Sequence, residues 1–537
     1  MSLAVDESEV RDTAVDVGGG LRRRLIGWVG VAVAGAVAVL AYVIPSYATV
    51  SRSLQDWTMF GSDPKFVGLA WYRLMFDDPA FGSSWSNVLP VAGGAVLVGG
   101  VMAPVLAYCV HRAGGAAVVV FGGVWGVPAV VFAPTGVAAA WLAVRGDDFG
   151  SGSLPWAIGC SGVILSVGVL AWMSVFRGAT RVISALVGGG ISVLALIAVG
   201  LQVVALPSFD PEAAALSPVS YALIQGLYSS SAPGFGLAAS SVLFMVLAML
   251  GIGAALLFVL GRVRFEYRAR SERVAERMRV PWGAISGVVS TLLLGAVLWS
   301  LWPWVTNLTG PLDGDYPDRA TVVAHTWLPP LLLAVCSVAV AAVGGFAIGV
   351  LRPLGRHSRW LLLPFAPWLF VGTGPLVMTW FHETWQLDGW AALLSRAWIS
   401  IPALFVFTAL FWGLEDRRRM TVAAGVDRRR ARLVVLSGFW PAGVLSVVLV
   451  WLAGAQDLVW QSVKYPVGDD PSGQVTLHRF AIDPSEAAAA ASGAGVDAEL
   501  PLGMSLGYPL PLLAVFALAV AAAGVWYLPR ISVRAGG

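Results

Sequence analysis

Twelve apolar stretches follow one another along this 537-residue chain, at 25–44, 88–110, 116–144, 155–176, 182–206, 237–261, 282–305, 324–350, 360–381, 391–413, 433–455 and 508–528. A membrane-crossing helix needs about 20 such residues, so each stretch is a candidate span. No soluble core absorbs so much apolar sequence, because a soluble surface must be charged and polar. Only 12% of the residues are charged and 58% are hydrophobic, against roughly 25% charged in a soluble domain. The same excess excludes disorder. The expected fold class is therefore all-α: a polytopic membrane protein of about 12 transmembrane helices.

Orientation follows from the basic residues, which concentrate in cytoplasmic loops. Residues 1–24 read as a polar cytoplasmic tail ending in Arg22, Arg23 and Arg24, followed by a retained first span. With the N-terminus inside, 26 of the 34 Lys and Arg residues fall in inner segments. Both termini are then cytoplasmic, with 529–537 as the C-terminal tail. The densest inner segments are 262–281 and 414–432, with seven Arg each. The first lies mid-chain and reads as a linker between halves 25–261 and 282–528. Glu266 and Arg270 form an i,i+4 pair there, which predicts a surface helix. The abundance of Arg, Ala, Gly and Val points to a bacterial source, and hence to the bacterial inner membrane.

The halves read as a parallel six-helix repeat. Pro128 and Trp141 stand 13 apart in the third stretch, as Pro367 and Trp380 do in the ninth. Gln202 closes the fifth stretch and Gln456 the eleventh.

Several chemistries lack their residues. Neither Lys65 nor Lys464 follows a glycine, so no G-x-x-x-x-G-K-[ST] phosphate loop exists. His382-Glu383 begins like a zinc motif, but Gln386 stands where the second His belongs. Cys109, Cys160 and Cys336 lie in apolar stretches and show no metal or disulfide spacing. No cofactor is implied, no enzyme chemistry, and a net charge of +3 gives no reason to expect nucleic acid. Carboxylates are rare within the spans, with Asp457 at an outer end the nearest exception. That weighs against an ion-coupled secondary carrier, which needs such groups at membrane depth.

FVGLAWYRLMFDDPAF (Phe66–Phe81) followed by Asn87 resembles the first outer loop of sugar-class permeases of bacterial ABC importers, with Trp71 where the family has Asn. GFGLAASSVLFMVL (Gly234–Leu247) resembles the start of that family's last span, and FDPEAAALSPVSYALIQGLY (Phe209–Tyr228) falls in family order. The second half resembles the partner permease at RPLGRHSR (Arg352–Arg359), at its Pro-rich ninth stretch and at QVTLHRFA (Gln474–Ala481). The resemblance implies two fused permeases, served by cytoplasmic ABC ATPases and an extracytoplasmic solute-binding protein.

It also implies an ATPase-docking loop. The family's E-A-A-x-x-x-G falls on Arg418, Arg419, Met420 and Ala424 of LEDRRRMTVAAGVDRRRARLVVLSGFWP (Leu414–Pro441), with Gly425 adjacent and Arg417 and Arg428 flanking. The consensus residues are absent. In the first half only FRGATRVI (Phe176–Ile183) is available, since Trp172 to Gln202 spans 30 residues and Trp412 to Gln456 spans 44. Docking loops this degenerate also fit a non-transporting homologue with an assembly or regulatory role. The expected substrate path runs by Gln202 and Gln456, which serve either as hydrogen-bond partners of a solute or as interhelical ties. Trp141 and Trp380 serve either as stacking surfaces or as interfacial anchors, the anchor role being favoured. The insertion 483–500 is small-residue-rich and reads as a tolerated surface loop.

Overall fold

The computed structural model describes residues 20–57, 64–145, 149–178, 181–203, 217–228, 233–267, 279–308, 319–384, 394–464, 472–475, 477 and 507–536. The tail 1–19, most of the linker and the insertion 483–500 lie outside them.

Nine helices among the described residues are long and apolar enough to cross a membrane, or ten if one bent pair is a single span. In chain order they are α1 (Leu21–Ser53), α2 (Pro79–Ala113), the bent pair α3 (Gly115–Val130 and Pro134–Trp141), α4 (Leu154–Phe176), α5 (Val182–Leu201), α6 (Gly234–Leu260), α7 (Val280–Asn307) and α8 (Arg319–Leu351). After α9 (Ile401–Ala423) come α10 (Arg428–Ala455) and α11 (Leu510–Arg530). Helices dominate for a physical reason: in lipid every backbone N–H and C=O must be satisfied within its own segment. This is an all-α, membrane-type bundle, and its only strands among the described residues are short ones.

Local chemistry sets the irregularities. Widened helical turns at Val39–Val43, Leu97–Met102 and Ala347–Leu351 each end two residues before a proline, namely Pro45, Pro104 and Pro353. A proline has no N–H and its ring crowds the preceding turn, so the helix loosens just ahead of it. The third apolar stretch bends by 70° at residues 131–133, just past the 3-10 turn Pro128–Val130.

The ninth stretch is not the continuous α-helix that its hydropathy predicts. It winds as a tight 3-10 helix over Gly355–Trp368, holding Pro364 and Pro367, then turns at Gly372 (φ +59°) and resumes as Gly374–Leu376 and Val377–Thr384. Two prolines three residues apart deny the α ladder two donors. The tenth stretch forms α9, in which Glu415, Asp416 and Arg417–Arg419 follow the apolar residues, so its apolar part is shorter than a full span.

Packing is reciprocal between the two ends of the chain. Helix α1 packs on α8, and α7 packs on α2. Helix α6 lies on the 355–368 segment, and α11 lies on α3. Within each end, α2 contacts α4 and α5, and α8 contacts α9 and α10.

Four short strands complete the fold: β1 (Gln55–Asp56) pairs antiparallel with β2 (Lys65–Phe66), and β3 (Arg264–Tyr267) with β4 (Ile531–Arg534). The β3–β4 pair corrects the expected surface helix of the linker. Backbone pairing to the C-terminal segment claims Glu266, whose side chain accepts from Arg534 at 3.1 Å; Arg270 lies outside the described residues. Arg23 at the start of α1 bonds Glu415 of α9, whose neighbour Asp416 pairs with Arg264 of β3. The two ends of the described chain therefore meet on one arginine-rich face.

Candidate functional site

At the face opposite the arginines, one short strap touches the ends of two corresponding helices. Gln202 is the first residue past α5, and Gln456 caps α10. Gln202 Nε2 donates to the Ala198 carbonyl at 3.1 Å and to the Phe370 carbonyl at 2.8 Å. A Cβ on Gly372 would lie 2.4 Å from Gln202 Oε1, so only glycine lets the strap come this close in a left-handed turn. One residue on, the Thr373 hydroxyl donates to Asp457 Oδ2 at 2.7 Å, next to Gln456. Burial pushes the Asp457 carboxyl up, while Thr373 and the amides of Trp460 and Val459 pull it down. Segment 370–373 thus bridges the two helix ends.

The two amides differ in what they have left to offer. Gln202 spends its N–H groups on protein carbonyls. Gln456 is 4% exposed, and its Oε1 accepts from Gln474 Nε2 at 3.1 Å. Its own Nε2 has no partner among the described residues. Gln474 in turn accepts from the Tyr508 hydroxyl at 3.4 Å, and Tyr508 accepts from the Gly136 amide at 3.2 Å.

Trp141 and Trp380 are not brought together. Trp141 donates to the Ser300 carbonyl at 2.8 Å and packs on Trp299 of α7. Trp380 is fully buried between Tyr42 and Trp460. Neither ring is at a lipid-facing position, so the favoured anchor role is corrected: burial against neighbouring helices claims both. Exposed indoles suited to anchoring are Trp28, Trp299, Trp302, Trp360, Trp440 and Trp526.

On the arginine-rich face, the expected docking residues divide into two groups. Arg417 donates to the Tyr267 carbonyl and lies 5.5 Å from that ring. Arg418 bonds Glu415 through Nε at 2.7 Å and Nη2 at 2.9 Å, and Arg419 Nε bonds it at 3.0 Å. Arg417 and Arg418 therefore serve contacts within the chain, while Arg419 keeps an exposed side chain beside its ion pair. Buried Glu415 claims Arg418 and Arg419, because an unpaired carboxylate there is costly. Burial alone would raise the Glu415 carboxyl; Arg418, Arg23 and Arg419 overcome this and hold it at about 2.

The remaining residues form an exposed hairpin. Helix α9 stops at Ala424, Gly425 takes the left-handed turn (φ +86°), and the Asp427 carboxylate caps α10 through the amides of Arg429 and Arg430. Ala424, Gly425 and Arg428 are exposed, as are Met420, Val426, Arg429 and Arg430. Four residues (424–427) join α9 to α10, and four (177–180) join α4 to the helix Arg181–Leu201. The 14 extra residues between Trp412 and Gln456 are therefore spent as helix, extending the hairpin by about 10 Å at 1.5 Å per residue. In the first half Gly178 is instead pressed against the Val533 carbonyl.

Among the described residues no group of three His, Cys, Asp or Glu side chains is placed to hold a metal ion. Comparison with known proteins finds no matching family model, no matching curated protein and no matching solved structure.

Proposed function

We propose that this chain is the membrane-spanning permease of an ABC importer, two permease halves fused, carrying a carbohydrate or related small solute across the bacterial inner membrane. The observation that carries this reading is the reciprocal packing: α1 on α8 with α7 on α2, and α6 on 355–368 with α11 on α3. Each pair maps onto the other when the first six apolar stretches are exchanged with the last six, as two intertwined copies require. In this reading the bent pair, the 355–384 segment and α9 supply the third, ninth and tenth crossings. Twelve crossings put both termini on the cytoplasmic side. The permease performs no covalent chemistry; the fuel comes from separate ATPases, and a solute-binding protein delivers cargo outside.

Helix α10 is the mechanical link. Its 28 residues span about 42 Å, from the exposed hairpin to the Gln456–Asp457 end on the strap. An ATPase seated on the hairpin pulls directly on the strap that joins the halves. Replacing Arg428, Arg429 and Arg430 together with Glu is expected to lower co-purifying ATPase by about tenfold or more. Thermal unfolding should stay unchanged, because these side chains are exposed. Undiminished ATPase recovery from that variant would contradict the docking role.

A second reading is favoured by one observation. Among the described residues the first half has no helical extension between Phe176 and Arg181, and Arg417 and Arg418 of the second half bond inward. A permease homologue that has lost transport and kept an assembly role has both features. Such a chain recovers no ATPase even when unmodified.

A further inference from the structure

Arg359 stands apart from every other arginine on its face. It is 7% exposed, yet among the described residues its guanidinium makes no hydrogen bond. Its contact is the Trp412 indole, 4.1 Å away, which it shares with Arg352 at 3.9 Å. Arg352 is fully engaged, donating to the carbonyls of Gly349 and Trp412 and to Asp416 at 2.7 Å. Asp416 also faces Arg264 at 3.5 Å. Glu266 also lies 3.9 Å from Arg264, so Arg264 and Arg352 have carboxylates, and Arg359 has none within ion-pair distance among the described residues.

The backbone is strained at the same place. Only two non-glycine residues among those described have positive φ, and both belong to this cluster: Arg262 (φ 48°) and Arg352 (φ 52°). Left-handed backbone is unfavourable for such side chains and persists where the surroundings hold it, often at ligand sites. An arginine buried except at its guanidinium nitrogens, with no hydrogen-bond partner among the described residues and Arg352 stacked on the same indole, calls for an anion.

We propose that Arg359, with Arg352 and Trp412 behind it, forms a seat for a phosphate group, supplied by the headgroup of an anionic phospholipid. Guanidinium forks match phosphate oxygens in pairs, and basic pockets between membrane helices suit acidic headgroups. Exposed Leu354 and Trp360 flank Arg359 in the chain and offer the apolar and interfacial contacts that an acyl chain and glycerol need. Free phosphate has the same recognised group but makes no use of that apolar flank.

The test is native mass spectrometry of the full chain in neutral detergent. The probes are phosphatidylglycerol, phosphatidylcholine and inorganic phosphate. Wild type should retain phosphatidylglycerol about tenfold over phosphatidylcholine, and R359Q should abolish that preference. R359K keeps the charge without the fork and should retain an intermediate preference; it decides the matter if R359Q fails to fold. Binding of inorganic phosphate that R359Q removes, without any lipid preference, supports the seat and assigns it to a soluble ligand. A wild type that favours neither anion, or an R359Q chain that keeps the preference, overturns the proposal.

Discussion

Replacing Glu415 with Gln should destabilise the protein by about 2–3 kcal/mol, a value reduced from the full cost of breaking a buried pair because the arginines are partly exposed. The Glu415 side chain is 0% exposed and bonds Arg23, Arg418 and Arg419 at 2.7–3.0 Å. Gln keeps the shape but removes the charge and points an amide N–H₂ toward three guanidinium groups. The contrast is Arg419→Gln, where the arginine is half exposed, and its loss should cost less than about 1 kcal/mol. The same carboxylate gives acid sensitivity. Its pKa falls from 4.5 to about 2 on folding, so its contribution is whole above the unfolded value. That contribution shrinks as pH falls through the interval and is gone below the folded value. Thermal unfolding in detergent measures both effects. An E415Q chain as stable as wild type, with unchanged acid sensitivity, would show that the three arginines do not depend on this carboxylate.

Gly413→Ala should cost about 1–3 kcal/mol by overpacking, although alanine is the better helix former. A Cβ at 413 would lie 1.8 Å from the Phe265 carbonyl oxygen. That oxygen belongs to β3, which cannot move without disturbing its pairing with β4. The variant should therefore unfold at lower temperature and expose the C-terminal segment to protease. Gly287→Ala in α7 supplies the comparison, since a Cβ there meets nothing within 4 Å. The gain in helix propensity should leave it neutral or up to about 1 kcal/mol more stable. Equal stability of the two variants would mean that α9 and β3 are not in close contact.

Much of the helical architecture is legible in hydropathy, because lipid demands long apolar runs and the loops between them gather the arginines. The helix ends at Gln202 and Gln456 are legible too, as the points where apolar sequence gives way to a side-chain amide. Backbone geometry that prolines impose is less so. Pro364 and Pro367 sit in sequence as apolar as any span, yet they turn it into a 3-10 helix. The β3–β4 pair joins residues 264–267 to 531–534, a separation that no local pattern encodes. Glu415 is the plainest omission. In a run reading LEDRRR it looks like one more solvated charge, and only the fold reveals it as the buried centre of three ion pairs. The inward bonds of Arg417 and Arg418 are hidden for the same reason: charge density marks a basic segment but not which way its side chains turn. Arg359 carries one signal, as the last of three arginines in RPLGRHSR and the one directly ahead of an apolar run that holds two prolines.

One-sided coupling of an ATPase through the 423–432 hairpin is tested most directly by site-specific photocrosslinking. A photoreactive amino acid is placed at position 424, at the exposed turn, or at position 180, between α4 and α5. Irradiation in native membranes is followed by identification of the adduct. Position 424 should capture a polypeptide carrying G-x-x-x-x-G-K-[ST], and position 180 should capture none. Capture of that polypeptide from 180 and not from 424, or from neither position, would contradict the account.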